Sequence, residues 1–94
     1  MKAFLISYDL GSPEGYSDYQ KITTYVEETF SERIKPLQSQ WLVASNDKKV
    51  GSIRDDLKKI TDPNDKILVI DVTNSSWATA RMGKAVNEWL NSNL

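Results

Sequence analysis

The chain has neither cysteine nor histidine. This excludes nucleophilic cysteine chemistry, Ser-His-Asp triads, histidine acid–base catalysis and every Cys/His zinc site. A catalytic group would have to be a carboxylate, a tyrosine, a serine or threonine, a lysine or a bound metal. Neither charge is in surplus: 12 Lys and Arg stand against 13 Asp and Glu, a net charge of -1 over 94 residues. Tight non-specific nucleic-acid binding through charge alone needs a basic excess or a concentrated basic face, and the balance argues against it. No apolar run approaches a membrane span. Lys2 and the apolar residues after it superficially resemble a secretion signal, but Ser7, Tyr8 and Asp9 break the run too early. There is no repeat, no low-complexity tract and no linker. The length suits one domain, 1–94, and is too short for two. The expectation is a soluble cytoplasmic protein with no membrane association; the lack of cysteine is compatible with the cytosol.

What is present reads as alternating strands and helices. Lys2–Asp9 is a nearly apolar strand, with Phe4, Ile6 and Tyr8 on one face and Ala3, Leu5, Ser7 and Asp9 on the other. Both faces are largely apolar, so the strand is expected to be internal. It stops on the carboxylate of Asp9, followed by the turn formers Gly11, Ser12, Pro13, Glu14 and Gly15. A helix is expected from Ser17, with Ser17 and Gln20 as a capping box. Its apolar stripe is Tyr19, Ile22, Val26 and Phe30, extending to Ile34 before Pro36. Leu37–Ser45 reads as a second strand, or as part of a segment from Ile34 that bends into two short strands around Gln38–Gln40. A second helix follows over Lys48–Ile60, capped by Asn46 or Asp47, with Val50, Ile53, Leu57 and Ile60 inward. Lys66–Val72 is the clearest strand and is expected to be internal as well. A last helix over Gly83–Asn91 presents Met82, Val86, Trp89 and Leu90 on one side, and Trp77 and Trp89 are expected to pack this end over the sheet.

Few residues carry candidate chemistry. An Asp at the mouth of a buried strand can be a metal ligand or a general base. It is more often a plain strand terminator, because Asp is poor in strands and good in turns. Asp71 is a candidate neighbour for Asp9, and otherwise a strand-end residue. Ser7 and Tyr8 could hydrogen-bond to a phosphate. Trp41 could stack on a base, though so large an apolar side chain is more often a core or interface anchor. Lys48, Lys49, Arg54, Lys58 and Lys59 line one helix, partly offset by Asp47, Asp55 and Asp56, which is the pattern of a solvated face.

Four pieces in order, Ser7-Tyr8-Asp9-Leu10, Ser39-Gln40-Trp41, Ile53-Arg54-Asp55-Asp56-Leu57 and Asn64 to Ile70 leading to Trp77, resemble the SinR-like small bacterial proteins related to the Cas-two-type CRISPR adaptation proteins. The likeness covers about Met1 to Trp77. It implies an α+β ferredoxin-like fold (split βαβ) with helices on one face, here followed by a C-terminal helix, and a homodimer. It also implies nucleic-acid binding. Asp9 matches the family's strand-end Asp and would be the catalytic residue and the ligand for Mg²⁺ or Mn²⁺ in a metal-dependent nuclease. Ser7, Tyr8, Ser39 and Trp41 would then contact substrate. The alternatives are a non-catalytic homodimeric scaffold or interaction module and, third, a toxin-like ribonuclease.

Overall fold

The computed structural model describes residues 1–11 and 16–94, and the side chains of 16 and 17 are not described. The expected turn over 12–15 and the Ser17 cap therefore lie outside the described residues. The elements are β1 (Lys2–Asp9), α1 (Tyr16–Thr29), β2 (Glu32–Ile34), β3 (Gln40–Ser45), α2 (Val50–Ile60), β4 (Lys66–Asp71) and α3 (Lys84–Asn93). The four strands form one antiparallel sheet in the order β2-β3-β1-β4. Because β3 is antiparallel to both β1 and β2, those two run the same way, yet β3 lies between them. The fold is α+β.

One side of the sheet and two helices make the core. Phe4, Ile6 and Tyr8 of β1 and Trp41 and Val43 of β3 meet Ile22, Val26 and Phe30 from α1 and Ile53 and Leu57 from α2. The registers Phe4 with Val43 and Ile6 with Trp41 put these strand residues on one face. Burying each large aliphatic or aromatic side chain here contributes about 1.5–3 kcal/mol. On the opposite face, Leu5 and Leu42 share a groove with Trp77, Met82, Val86 and Leu90, so the C-terminal segment and α3 form a third layer.

Three expected boundaries are corrected. The first helix does not reach Ile34. It stops at Thr29, and Ile34 belongs to β2 opposite Leu42. Arg33 donates to the Phe30 carbonyl at 2.8 Å, supplying a cation to a helix end whose last turn has no basic residue. The segment from Ile34 does bend into two strands, as one of the two expected readings had it, but β2 already begins at Glu32 and β3 begins at Gln40 rather than Leu37, with Pro36 in the connection between them. The second helix is not capped by Asn46 or Asp47. The Ser45 hydroxyl donates to the Asp47 carboxylate at 2.7 Å and accepts the Asp47 and Lys48 amides, which folds that segment into a turn. Lys49 is the N-cap, and its amide is taken by the Ser52 hydroxyl at 2.9 Å.

The fourth correction matters most for function. β4 is not internal; it is an edge strand, paired with β1 on one side only. Ile67 and Val69 pack partly against the core, whereas Leu68 and Ile70 on the other face are 54% and 41% exposed. β1, by contrast, is internal as expected.

α1 and α2 are also joined by a polar bridge. The Tyr25 hydroxyl donates to Asp56 Oδ2 at 2.7 Å, and Lys48 Nζ approaches the same oxygen at 2.9 Å. The Lys48 hydrogen bond, then the Tyr25 one, hold the Asp56 carboxyl below its ordinary value of 3.8. Burial first, and the Asp56 charge with its hydrogen bond, push the Tyr25 hydroxyl up. A carboxyl depressed by folding contributes stability that is present above its unfolded pKa and is lost as pH falls through the lower folded value. Asp56→Asn is therefore expected to lower stability at neutral pH by about 1–2 kcal/mol, the lower part of the range of about 1.5–3 kcal/mol for hydrogen bonds to a charged group, reduced because these side chains remain partly exposed to solvent. In urea titrations at successively lower pH, the gap between variant and parent should start to narrow near 3.8 and close only below the depressed folded value.

Candidate functional site

The end of β1 and its surroundings hold the residues singled out from sequence, and strand alternation divides them. Ser7 and Asp9 lie on the outer face. Asp9 is exposed, directly opposite Lys66 of β4, and Ser7 is opposite Leu68. These residues border a small open hollow of about 190 Å³. Tyr8 turns to the helix side, where it is 5% exposed and stacks obliquely on Tyr19 with ring centroids 6.3 Å apart. Trp41 lies on that same face, 7% exposed, and belongs to the core cluster. Ser39 contributes its backbone: its carbonyl accepts the Tyr8 amide at 3.1 Å. The structure thus brings Ser7 together with Asp9, and Tyr8 together with Trp41, on opposite sides of the sheet.

Asp71 does not join Asp9. In the antiparallel register Asp9 faces Lys66 whereas Asp71 faces Phe4, so the two acids are five residues apart along the strands, about 17 Å. Asp71 instead ends β4. Its carboxylate accepts the Thr73 hydroxyl at 2.6 Å and the Thr73 amide at 2.9 Å, and these bonds hold its pKa below the ordinary value.

The residues around Asp9 fit a divalent cation poorly. Mg²⁺ sites use one or two carboxylates with several waters, and a neighbouring ammonium opposes a second positive charge. Here one carboxylate faces a lysine, and among the described residues no three acidic groups gather into a possible metal site. Lys35, which sequence reasoning passed over, completes the opposite side. Its Nζ donates to the Tyr8 hydroxyl at 3.1 Å and to the Gln38 carbonyl at 2.5 Å, and lies 5.6 Å and 5.3 Å from the Tyr8 and Trp41 ring centres. Cation–π attraction over two rings holds this ammonium against the fold's own hairpin, although Lys35 itself is exposed. Locating β2 and its connection to β3 would have been the signal that Lys35 folds back on Tyr8.

The basic residues of α2 follow the solvated pattern in part. Lys48 pairs with Asp56, and Arg54 pairs with the adjacent Asp55 at 2.9 Å while both stay more than half exposed. Exposed pairs of this kind contribute little. A wider depression of about 810 Å³ between α1 and the end of α2 is lined by Lys21 and Lys59 but also by Glu28 and Asp62, and it holds neither Asp9 nor any of the residues expected to contact substrate. Among the described residues no helix is long and apolar enough to cross a membrane. No protein-family model, curated protein or solved structure matches this chain.

Proposed function

We propose that this chain is a ferredoxin-like domain of the Cas-two-type kind that acts as a homodimeric scaffold or interaction module, without hydrolytic chemistry of its own. Two strands joined by α1 and separated by β3 support the split βαβ reading. The observation that carries the functional reading is the exposure of Leu68 and Ile70 beside the partly covered Leu5, on a sheet face that α3 only partly covers. Contiguous apolar surface of this kind marks interaction sites. Asp9, by contrast, faces a cation, and among the described residues no three acidic groups gather into a possible metal site.

Sedimentation equilibrium is expected to show a dimer. Incubation with single- and double-stranded DNA and RNA in Mg²⁺ or Mn²⁺ is expected to show no cleavage that depends on Asp9. Metal-dependent cleavage that disappears in Asp9→Ala, with an unchanged circular dichroism spectrum, would overturn the non-catalytic reading and restore Asp9 as the ligand of a nuclease.

A further inference from the structure

The exposed face of β4 comes with an unpaired backbone edge. Val72 donates its amide to the Ala3 carbonyl at 2.8 Å, so the backbone groups of even-numbered β4 residues point to β1. In a regular strand those of the odd-numbered residues then point away from the sheet. Ile67, Val69 and Asp71 therefore direct their N–H and C=O groups outward, with no proline and no bulge to blunt the row. An edge in this state is a template for another strand.

We infer that a second copy of this chain docks here, β4 against β4 in antiparallel register about a two-fold axis through Val69, giving one continuous eight-stranded sheet. The inference rests on the self-association proposed above and names its surface. Three features select the occupant and the register. A two-fold pair of strands keeps each face on its own side, so even residues oppose even and odd oppose odd. With Val69 opposite its twin, Ile67 meets Asp71 of the partner subunit, and these outward groups exchange about six backbone hydrogen bonds. On the outer face Leu68 then lies over the partner's Ile70, so the exposed apolar residues cover one another. Charge is the third feature: Ile67 borders a hollow edged by Arg54 and Lys58 of α2 as well as by Asp62 and Asp65, so in this register the carboxylate of the partner's Asp71 comes to a mixed-charge rim that includes two cations. A shift of one pair the other way would set Asp65 against the partner's Asp71, two acids on the same face.

This seam has a consequence for the metal question. Three strand spacings of ~4.8 Å and six residues of ~3.4 Å place the two Asp9 Cα atoms about 25 Å apart. They cannot share an ion across it.

The chain has no cysteine, so Asp9→Cys carries a single nitroxide label on an exposed site. Double electron–electron resonance on this protein is expected to give a distance centred near 25 Å, broadened by the label arms. Leu68→Lys, on an exposed side chain, is expected to weaken the dimer by about tenfold or more in sedimentation equilibrium. Val69→Pro removes an outward amide that the single chain does not use, and is expected to do the same with an unchanged circular dichroism spectrum. A dimer that keeps its affinity in Leu68→Lys, or labels clearly closer than expected, overturns the β4 seam while leaving self-association standing. A monomer at every concentration overturns both.

Discussion

Leu57→Ala is expected to cost about 3–4 kcal/mol, whereas Leu68→Ala is expected to change stability by less than about 0.5 kcal/mol. Both remove the same atoms. Leu57 is fully buried between α2 and the sheet, within the cluster that includes Ile53, Val26 and Phe4. Its truncation loses the transfer free energy of the side chain and leaves a cavity that packed neighbours only partly close. Against a typical stability of 5–15 kcal/mol, that loss is a large fraction of the total. Leu68 is 54% exposed on the edge strand and leaves no comparable void. Chemical denaturation at protein concentrations low enough to keep the chain monomeric separates the two. A large effect at Leu68 under those conditions would mean that it belongs to the fold, and the apolar surface on β4 would lose its meaning as an interface.

Gly11→Ala is expected to destabilise by about 2 kcal/mol and Gly11→Val by more, within the range for overpacked sites. A Cβ at Gly11 would lie 2.7 Å from the Asn64 carbonyl oxygen and 2.6 Å from its Cγ. The side chain of Asn64 can rotate, but its carbonyl cannot move freely. The neighbouring Asp65 carboxylate holds this turn in place, accepting the Gly11 amide at 2.8 Å with one oxygen and the Asp62 amide at 2.8 Å with the other. Relief of the clash would break the Asp65 bond to Gly11, which ties the exit of β1 to the turn before β4. Gly51→Ala is the control. Its Cβ would meet nothing nearer than the Arg54 guanidinium at 3.9 Å, and α2 should gain up to about 1 kcal/mol in helix propensity. Thermal melts of the two variants should therefore move in opposite directions. If Gly11→Ala melts with the parent, the close approach to Asn64 is not a constraint on the fold.

The sequence made β1, most of the two inward helical stripes and the C-terminal helix legible, because each rests on local periodicity; Val50, expected inward at the start of α2, is instead 41% exposed. Tyr19, Ile22, Val26 and Phe30 repeat at helical spacing wherever the chain goes next. Ile34 continues that spacing from Phe30, and only the β3 strand lying alongside reveals that it has left the helix. Lys66–Val72 misleads for a related reason. A strand apolar on both faces reads the same whether its second face meets a helix or a partner, so Leu68 and Ile70 signal burial without saying by what. The pairing of Asp9 with Asp71 failed on direction. Parallel strands would have brought both C-terminal ends to one rim, but β1 and β4 are antiparallel, and that relation is set by connections far apart in the chain. Trp41 was readable as an anchor from its size and neighbours. Lys35, the Tyr25–Asp56–Lys48 bridge and the Asp65 latch were not, since each joins residues from different elements with no local pattern.

The two margins of the sheet are unlike. β2 offers three residues, two of them charged, and the chain turns away through Pro36 directly afterwards. Such a margin resists further addition. A β-sheet with one adhesive border and one inert border has nowhere to grow once the adhesive borders have met. Pairing through β4, as proposed above, would therefore end in a finite pair and not a fibre, which is how an apolar edge strand could stay uncovered in the single chain without seeding polymerisation.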